Sequence, residues 1–332
     1  MPKRGKAESI RHLDISLKKR YIFFSIKPEA LMTLQEIIKD LQGPRKKKVV
    51  LDTDAFNEID DQYAIAYCYL SERIDLLSVH AALFVHNAGD STEEGMLKSF
   101  EEAKKVLSLT DPDYKTPVLK GCTETIDKTG AFVESEATDR LIEIARESDE
   151  IIYVLAIGTG TNVASSLMKD PSIKDKICVI WLACNQLHVN TPIDYNLEQD
   201  YKAGQIIFDS GVPLMIVPGC WVTSVLRSDI ENTRALLGSN AICDYLFEIT
   251  EARYNMVGRP EGWARTIWDL GAPAIIENPE CCQFDIVKTP NLTDDRQYAF
   301  SDERHEMIMV NNMVRDPIFE KAWATLKKGK QN

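Results

Sequence analysis

The chain has 332 residues, 44% hydrophobic and 27% charged, with 39 Lys and Arg against 51 Asp and Glu for a formal net charge of −12. That length and apolar content suffice for one large core. The acidic balance argues against general nucleic-acid binding, and no apolar run reaches the roughly 18 residues that span a bilayer.

The chain opens on a basic stretch, residues 1–47, followed directly by Lys48 at the end of "RKKK". It carries no secretory-type hydrophobic region, so a cytoplasmic protein is the expectation. Within it Leu31, Leu34, Ile38 and Leu41 recur at helical spacing between Pro28 and Gly43-Pro44. This predicts one amphipathic helix on a solvated extension, ahead of a single domain over residues 48–330.

From there short apolar runs alternate with helix-like segments. "KKVVLDTD", "DLLSVHAALFV", "TPVLKG", "IIYVLAIG", "ICVIWLAC" and "PLMIVPG" read as strands. Their side chains do not alternate between apolar and polar, as expected of strands covered on both faces. The fold class expected is therefore α/β: an open, mostly parallel, doubly wound sheet with helices on both faces. After residue 220 the pattern turns helical, and "VKTPNL" with "HEMIMVNN" reads as a small peripheral hairpin. The eight cysteines show no C-x-x-C spacing and sit mostly in apolar runs, which predicts reduced core residues.

One stretch does not fit a purely structural reading. "DTDAFNEIDD" gathers Asp52, Asp54, Glu58, Asp60 and Asp61 just where the first strand runs out. Open α/β sheets bind ligands beyond the carboxyl ends of their strands. Like charges this close need a cation or strong donors. An all-oxygen set suits calcium or magnesium better than zinc. Helix capping explains one of these aspartates but not four. Polar residues follow later strands too: His86-Asn87, "AIGTGTN", "DYN" at Asp194–Asn196, and Asp269 in "IWDLG".

In this ordered set the chain resembles the nucleoside hydrolase family, the calcium-dependent N-ribohydrolases, from Lys48 onward. The D-x-D…D-D signature is matched by Asp52, Asp54, Asp60 and Asp61; the glycine turn before T-N-[IV]-A by "IGTGTNVA"; the E-[FY]-N triplet by "DYN"; and the late metal aspartate by Asp269. The resemblance implies Ca2+ held by Asp54, Asp61, Asp269 and the carbonyl of Ile157, with Asp54 as general base. It implies ribose contacts from Asp60, Asn87, Asp194 and Asn196, with Asp52 bracing the loop. The implied reaction releases base and ribose from a ribonucleoside, in a homodimer or homotetramer.

The chain departs from the family in three places. Five residues, "AFNEI", stand where three are usual, which brings Asn57 or Glu58 into consideration for the pocket. Asp194 replaces a glutamate. Trp268 replaces the histidine that protonates the leaving base in many members, a change that resembles the purine-preferring branch; Trp268 either stacks on the base or is a core aromatic. His86, His188 and His305 are the other candidate acids, with His188 the best placed by loop position. Two further readings stay open: a non-catalytic ribosyl- and calcium-binding module on the same scaffold, and a haloacid dehalogenase-type phosphatase with Asp52 as nucleophile.

Overall fold

Residues 32–86 and 90–330 are described by the structure, a computed structural model. The strands in chain order are β1 Lys47–Thr53, β2 Ile74–Ala81, β3 Val118–Lys120, β4 Ile152–Ala156, β5 Ile177–Leu182, β6 Leu214–Val217, β7 Arg227–Asp229, β8 Ala264–Thr266, β9 Cys282–Lys288, β10 Asn291–Leu292, β11 Tyr298–Ala299 and β12 Glu306–Met313. Among the described residues eight of them form one sheet in the order β3-β2-β1-β4-β5-β6-β12-β9. All neighbours in it are parallel except β12 and β9.

Burial explains why the strands carry continuous apolar runs. In β1, Val49 and Leu51 enter one core cluster and Val50 the other. In β4 the same division separates Tyr153 and Leu155 from Ile152 and Val154. Successive side chains point to opposite faces, and both faces are covered, so the middle of each of these strands is apolar on both sides. Helices Asp61–Leu70, Thr92–Thr110, Ala241–Met256 and Arg315–Leu326 supply the first core. Helices Glu136–Glu147, Thr161–Lys169 and Tyr201–Asp209 supply the second. The doubly wound sheet expected from the sequence is what forms.

The helix over Leu34–Gln42 starts at a capping box between Thr33 and Glu36 and buries Ile37 and Leu41 in the first core. Its Asp40 accepts from Tyr153 Oη at 2.7 Å and from the buried Lys47 Nζ at 3.2 Å, which ties the helix to β1 and β4. The expectations on residues 1–31, Pro28 and Leu31 included, lie outside the described residues.

One expectation is corrected. "HEMIMVNN" does pair antiparallel with the start of "VKTPNL", Glu306-Met307 against Lys288-Val287, but not as a separate hairpin: β12 lies inside the main sheet, parallel to β6 on one side and antiparallel to the edge strand β9 on the other. Met307, Ile308, Met309 and Val310 are buried there. The peripheral ribbon is β10 with β11, so only Asn291-Leu292 of "VKTPNL" belongs to it. A short apolar run carries the same signal at the centre of a sheet as at its margin; pairing decides, and pairing is tertiary. Among the described residues no helix is long and apolar enough to cross a membrane.

The strand order reverses at β1. From it β2 and β3 extend one way and β4, β5 and β6 the other. Asp52 pairs with Ala156 in the last rungs of β1 and β4, so their carboxyl ends open side by side. Such a switch point leaves a crevice between diverging loops.

Candidate active site

Everything expected of "DTDAFNEIDD" is positioned by the end of β1. Asp52 still belongs to the strand, and its Oδ2 accepts from Asn162 Nδ2 at 2.9 Å. Asn162 also accepts Cys122 N–H and donates to Ala81 O, so it joins three segments beneath the site. Thr53 Oγ1 donates to Asp61 Oδ1 at 2.5 Å. Asp54 begins the loop, where Asn57 Nδ2 donates to its Oδ2 at 2.9 Å. Asp60 makes no side-chain capping bond to the helix that follows. Its carboxylate instead accepts from Trp268 N at 3.0 Å and Arg265 Nη2 at 3.1 Å.

The remaining parts arrive from other strand ends. After β4, Gly158 lies against Asp54: a Cβ there would stand 3.0 Å from both Asp54 N and Asp54 Oδ1. Glycine at this position lets the two backbones come this close, since a Cβ would be tighter than ordinary contact. Asn196 Nδ2 donates to Ile157 O and Leu182 O, each at 2.9 Å, tying the ends of β4 and β5 together. Asp194 caps the helix Tyr195–Gln199 by accepting Leu197 N–H. After β8 a single helical turn, Trp268–Leu270, carries Asp269.

These groups line one cavity of about 510 Å3. Asp54, Asn57, Asp60, Asp61, Ile157, Asp194, Asn196, Trp268 and Asp269 all face it. Trp268 is half-buried: it packs against the first core and also borders the cavity. Asn87 lies outside the described residues. His188 does not line the cavity: it is exposed and stacks on Trp221 with ring centroids 5.4 Å apart. Asn185 Nδ2 closes that loop onto Thr191 O and Ile193 O, so the loop residues between them turn away. Asp52, which a phosphatase would need as nucleophile, is buried and also absent from the lining.

Several lining residues escaped sequence reading. Arg265 pairs with both Glu58 and Asp60, partners some 200 positions distant in sequence, and no local pattern announces it. Tyr195 was visible only as the middle of "DYN". Cys220 departs from the core-cysteine expectation; it is exposed and lines the cavity, while the other seven cysteines are buried.

The electrostatics follow from burial. Asp54, Asp60, Asp61 and Asp269 are all buried. Burial, reinforced by Asp61, lifts Asp54 well above the ordinary carboxylate range and Asp60 to about 7. Burial lifts Asp61 to about 6 despite the Thr53 hydrogen bond. Asp269 rises well above the usual range through burial and the charges of Asp61, Asp60 and Asp54. Asp61 thus raises the proton affinity of Asp269, as a like charge buried beside it does.

Among the described residues no group of three or more His, Cys, Asp or Glu side chains is already arranged to hold a metal ion. The donors nevertheless fit a hard cation: carboxylates from three segments and a backbone carbonyl, all oxygen, around one cavity and mutually repelling without it.

The profile described as inosine-uridine preferring nucleoside hydrolase matches residues 49–313. The chain belongs to this family. Nucleoside hydrolase relatives in sequence include the pyrimidine-specific ribonucleoside hydrolase RihA of Enterobacter sp. strain 638, 24% identical over 57% of this chain and 65% of that protein. RihA of Escherichia coli O1:K1 is 25% identical over 56% and 64%. The matched part thus spans slightly less than two thirds of these relatives. Among solved nucleoside hydrolase structures, a purine-preferring ribonucleoside hydrolase from Gardnerella vaginalis superposes with a TM-score of 0.67 at 19% identity, covering 85% of this chain and 99% of that one. A plant nucleoside hydrolase gives 0.65 at 18% with the same coverage. At these identities the likeness is one of fold.

Proposed function

We propose that this protein hydrolyses the N-glycosidic bond of a ribonucleoside to free base and ribose, with calcium held by Asp54, Asp61, Asp269 and the Ile157 carbonyl. The observation that carries this reading is the burial of Asp54, Asp60, Asp61 and Asp269 around a single cavity at the sheet's switch point. Calcium, when bound, supplies the positive charge that keeps these carboxylates ionised and makes the nucleophilic water more acidic.

The chain's own groups then divide the work. Asp54 takes the proton of the attacking water at a carboxylate oxygen. Asp60, aimed by Arg265 and the Trp268 amide, meets a ribose hydroxyl, and Asp194 and Asn196 hold the sugar from the opposite loop. Buried carboxylates around the ring favour an oxocarbenium-like transition state, in which positive charge develops on the sugar. Trp268 offers its face to the base, and a purine gains more from stacking than a pyrimidine because its face is larger. The named relatives RihA are pyrimidine-specific, so base preference is read directly in the assay.

The test is base release from inosine, adenosine, uridine and cytidine, with calcium and after chelation. Release that chelation stops and calcium restores, and that Asp54→Asn lowers by roughly 100-fold or more, supports the reading. Faster turnover of purines supports stacking on Trp268; faster turnover of pyrimidines aligns the chain with RihA. Ribonucleoside binding without release by the wild-type protein would sink the hydrolase and favour the binding module.

A further inference from the structure

Trp268 stands where many family members carry an acid for the departing base, and an indole N–H is a donor but not an acid at neutral pH. Among the described residues the one histidine that lines the cavity is His86. We propose that His86 protonates the leaving base and that Asn57, contributed by the "AFNEI" segment, is the positioning residue that aims it. This inference rests on the hydrolase reading above.

A chain of hydrogen-bond polarity carries the argument. Asn57 Nδ2 donates to Asp54 Oδ2 at 2.9 Å, the polarity required when Asp54 is the carboxylate that acts as base, since that form can only accept. The amide is therefore oriented with its Oδ1 facing away from Asp54. That oxygen lies 3.0 Å from His86 Nδ1 and 3.0 Å from Tyr195 Oη. An amide oxygen can only accept, so His86 must carry its hydrogen on Nδ1. This holds for neutral imidazole and for imidazolium alike, which leaves Nε2 as the position that gains and loses the proton.

The backbone before the ring is also fixed. Gln199 accepts Val85 N–H at Oε1, 2.8 Å away, and donates from Nε2 to Val85 O at 3.3 Å. Tyr195 Oη, within reach of both Asn57 Oδ1 and Val85 O, links the same two segments. His86 is itself exposed, so solvent can return the proton after each turnover.

The acid and base are thus joined through one amide and two hydrogen bonds. In the step, the bond from the sugar C1′ to the base nitrogen breaks and its electron pair stays on the base. His86 Nε2–H supplies the proton to the base. Water oxygen bonds to C1′ while Asp54 takes the water's proton, and neutral base and ribose leave.

The discriminating measurement compares inosine with 4-nitrophenyl riboside, whose nitrophenolate departs without needing a proton. His86→Gln should lower kcat on inosine by roughly 100-fold or more and on the nitrophenyl riboside by less than about 5-fold. Asn57→Leu should shift the ratio of the two rates in the same direction, on the order of 10-fold, because the ring is no longer aimed. Equal losses on the two substrates, for either variant, would show a merely structural contribution and overturn the assignment, as would an unchanged inosine rate in His86→Gln. No turnover of either substrate by the wild-type protein removes the hydrolase reading itself, an outcome distinct from the variant results.

Discussion

Arg265 reaches from β8 to Asp60, its Nη2 lying 3.1 Å from Oδ1, and the same guanidinium pairs with Glu58 of the loop after β1. The two residues couple the halves of the cavity wall. Arg265 is the side-chain cation paired with Asp60, which lies buried close to three other carboxylates.

Removing that guanidinium leaves Asp60 in place without its charge partner. Breaking such a pair from one side typically costs about 3–5 kcal/mol when fully buried, and Arg265 retains some exposure. Arg265→Gln is expected to lower stability by about 2–3 kcal/mol and to raise KM for the ribonucleoside, as Asp60 loses its aim. Urea unfolding with the m-value held constant, alongside steady-state kinetics, measures both. An unchanged midpoint would show that the pair contributes nothing to the fold.

Beneath the cavity, Asn162 satisfies Asp52, Ala81 O and Cys122 N at once. Gly121 makes room for it, since a Cβ there would come within 2.6 Å of the Asn162 amide. Truncation strands several buried groups together. Asn162→Ala should destabilise by roughly 2–3 kcal/mol, and chemical denaturation of the two proteins reads the difference. Asp52→Asn should cost less, because Asn162 keeps an oxygen acceptor. Equal costs for the two would mean that the charge on Asp52, not the hub at Asn162, holds the site floor.

His80 gives the fold an acid-sensitive element away from the cavity. It is buried on β2 with Nε2 2.9 Å from Ser78 Oγ. Burial, then the nearby Arg140 charge, lowers its pKa from 6.5 to about 3. The unfolded chain therefore binds a proton between those values that the folded chain refuses. Stability from this group is complete above about pH 6.5 and declines as pH falls toward 3, by up to about 1.4 kcal/mol per pH unit. In His80→Gln that part of the slope should vanish between pH 6 and 4.5, as followed by thermal unfolding across the range. An identical slope in both proteins would place the acid sensitivity elsewhere.

The end of β1 was legible in sequence because charge of one sign cannot accumulate at a buried strand end without compensation. The aspartates, the Gly158 turn and the "DYN" loop announced themselves as polar residues after apolar runs, and the structure brings them to one cavity. Trp268 as core aromatic or cavity wall was undecided from sequence; its place beside the cavity is a matter of packing. His188 looked well placed because it follows a strand end, yet the closure of its loop by Asn185 directs it elsewhere.

What the sequence by itself determined is whatever depends on local pattern: buried strands from unbroken apolar runs, helix faces from their period, and an oxygen-rich site from crowded carboxylates. Tertiary structure alone decided the interior position of β12, the pairing of Arg265 with Asp60 and Glu58, and the orientation of Asn57 between Asp54 and His86. Each of these depends on at least one contact between residues far apart in the chain. Their energies exist only once the sheet has closed the distance, and no neighbouring residue in the sequence encodes them.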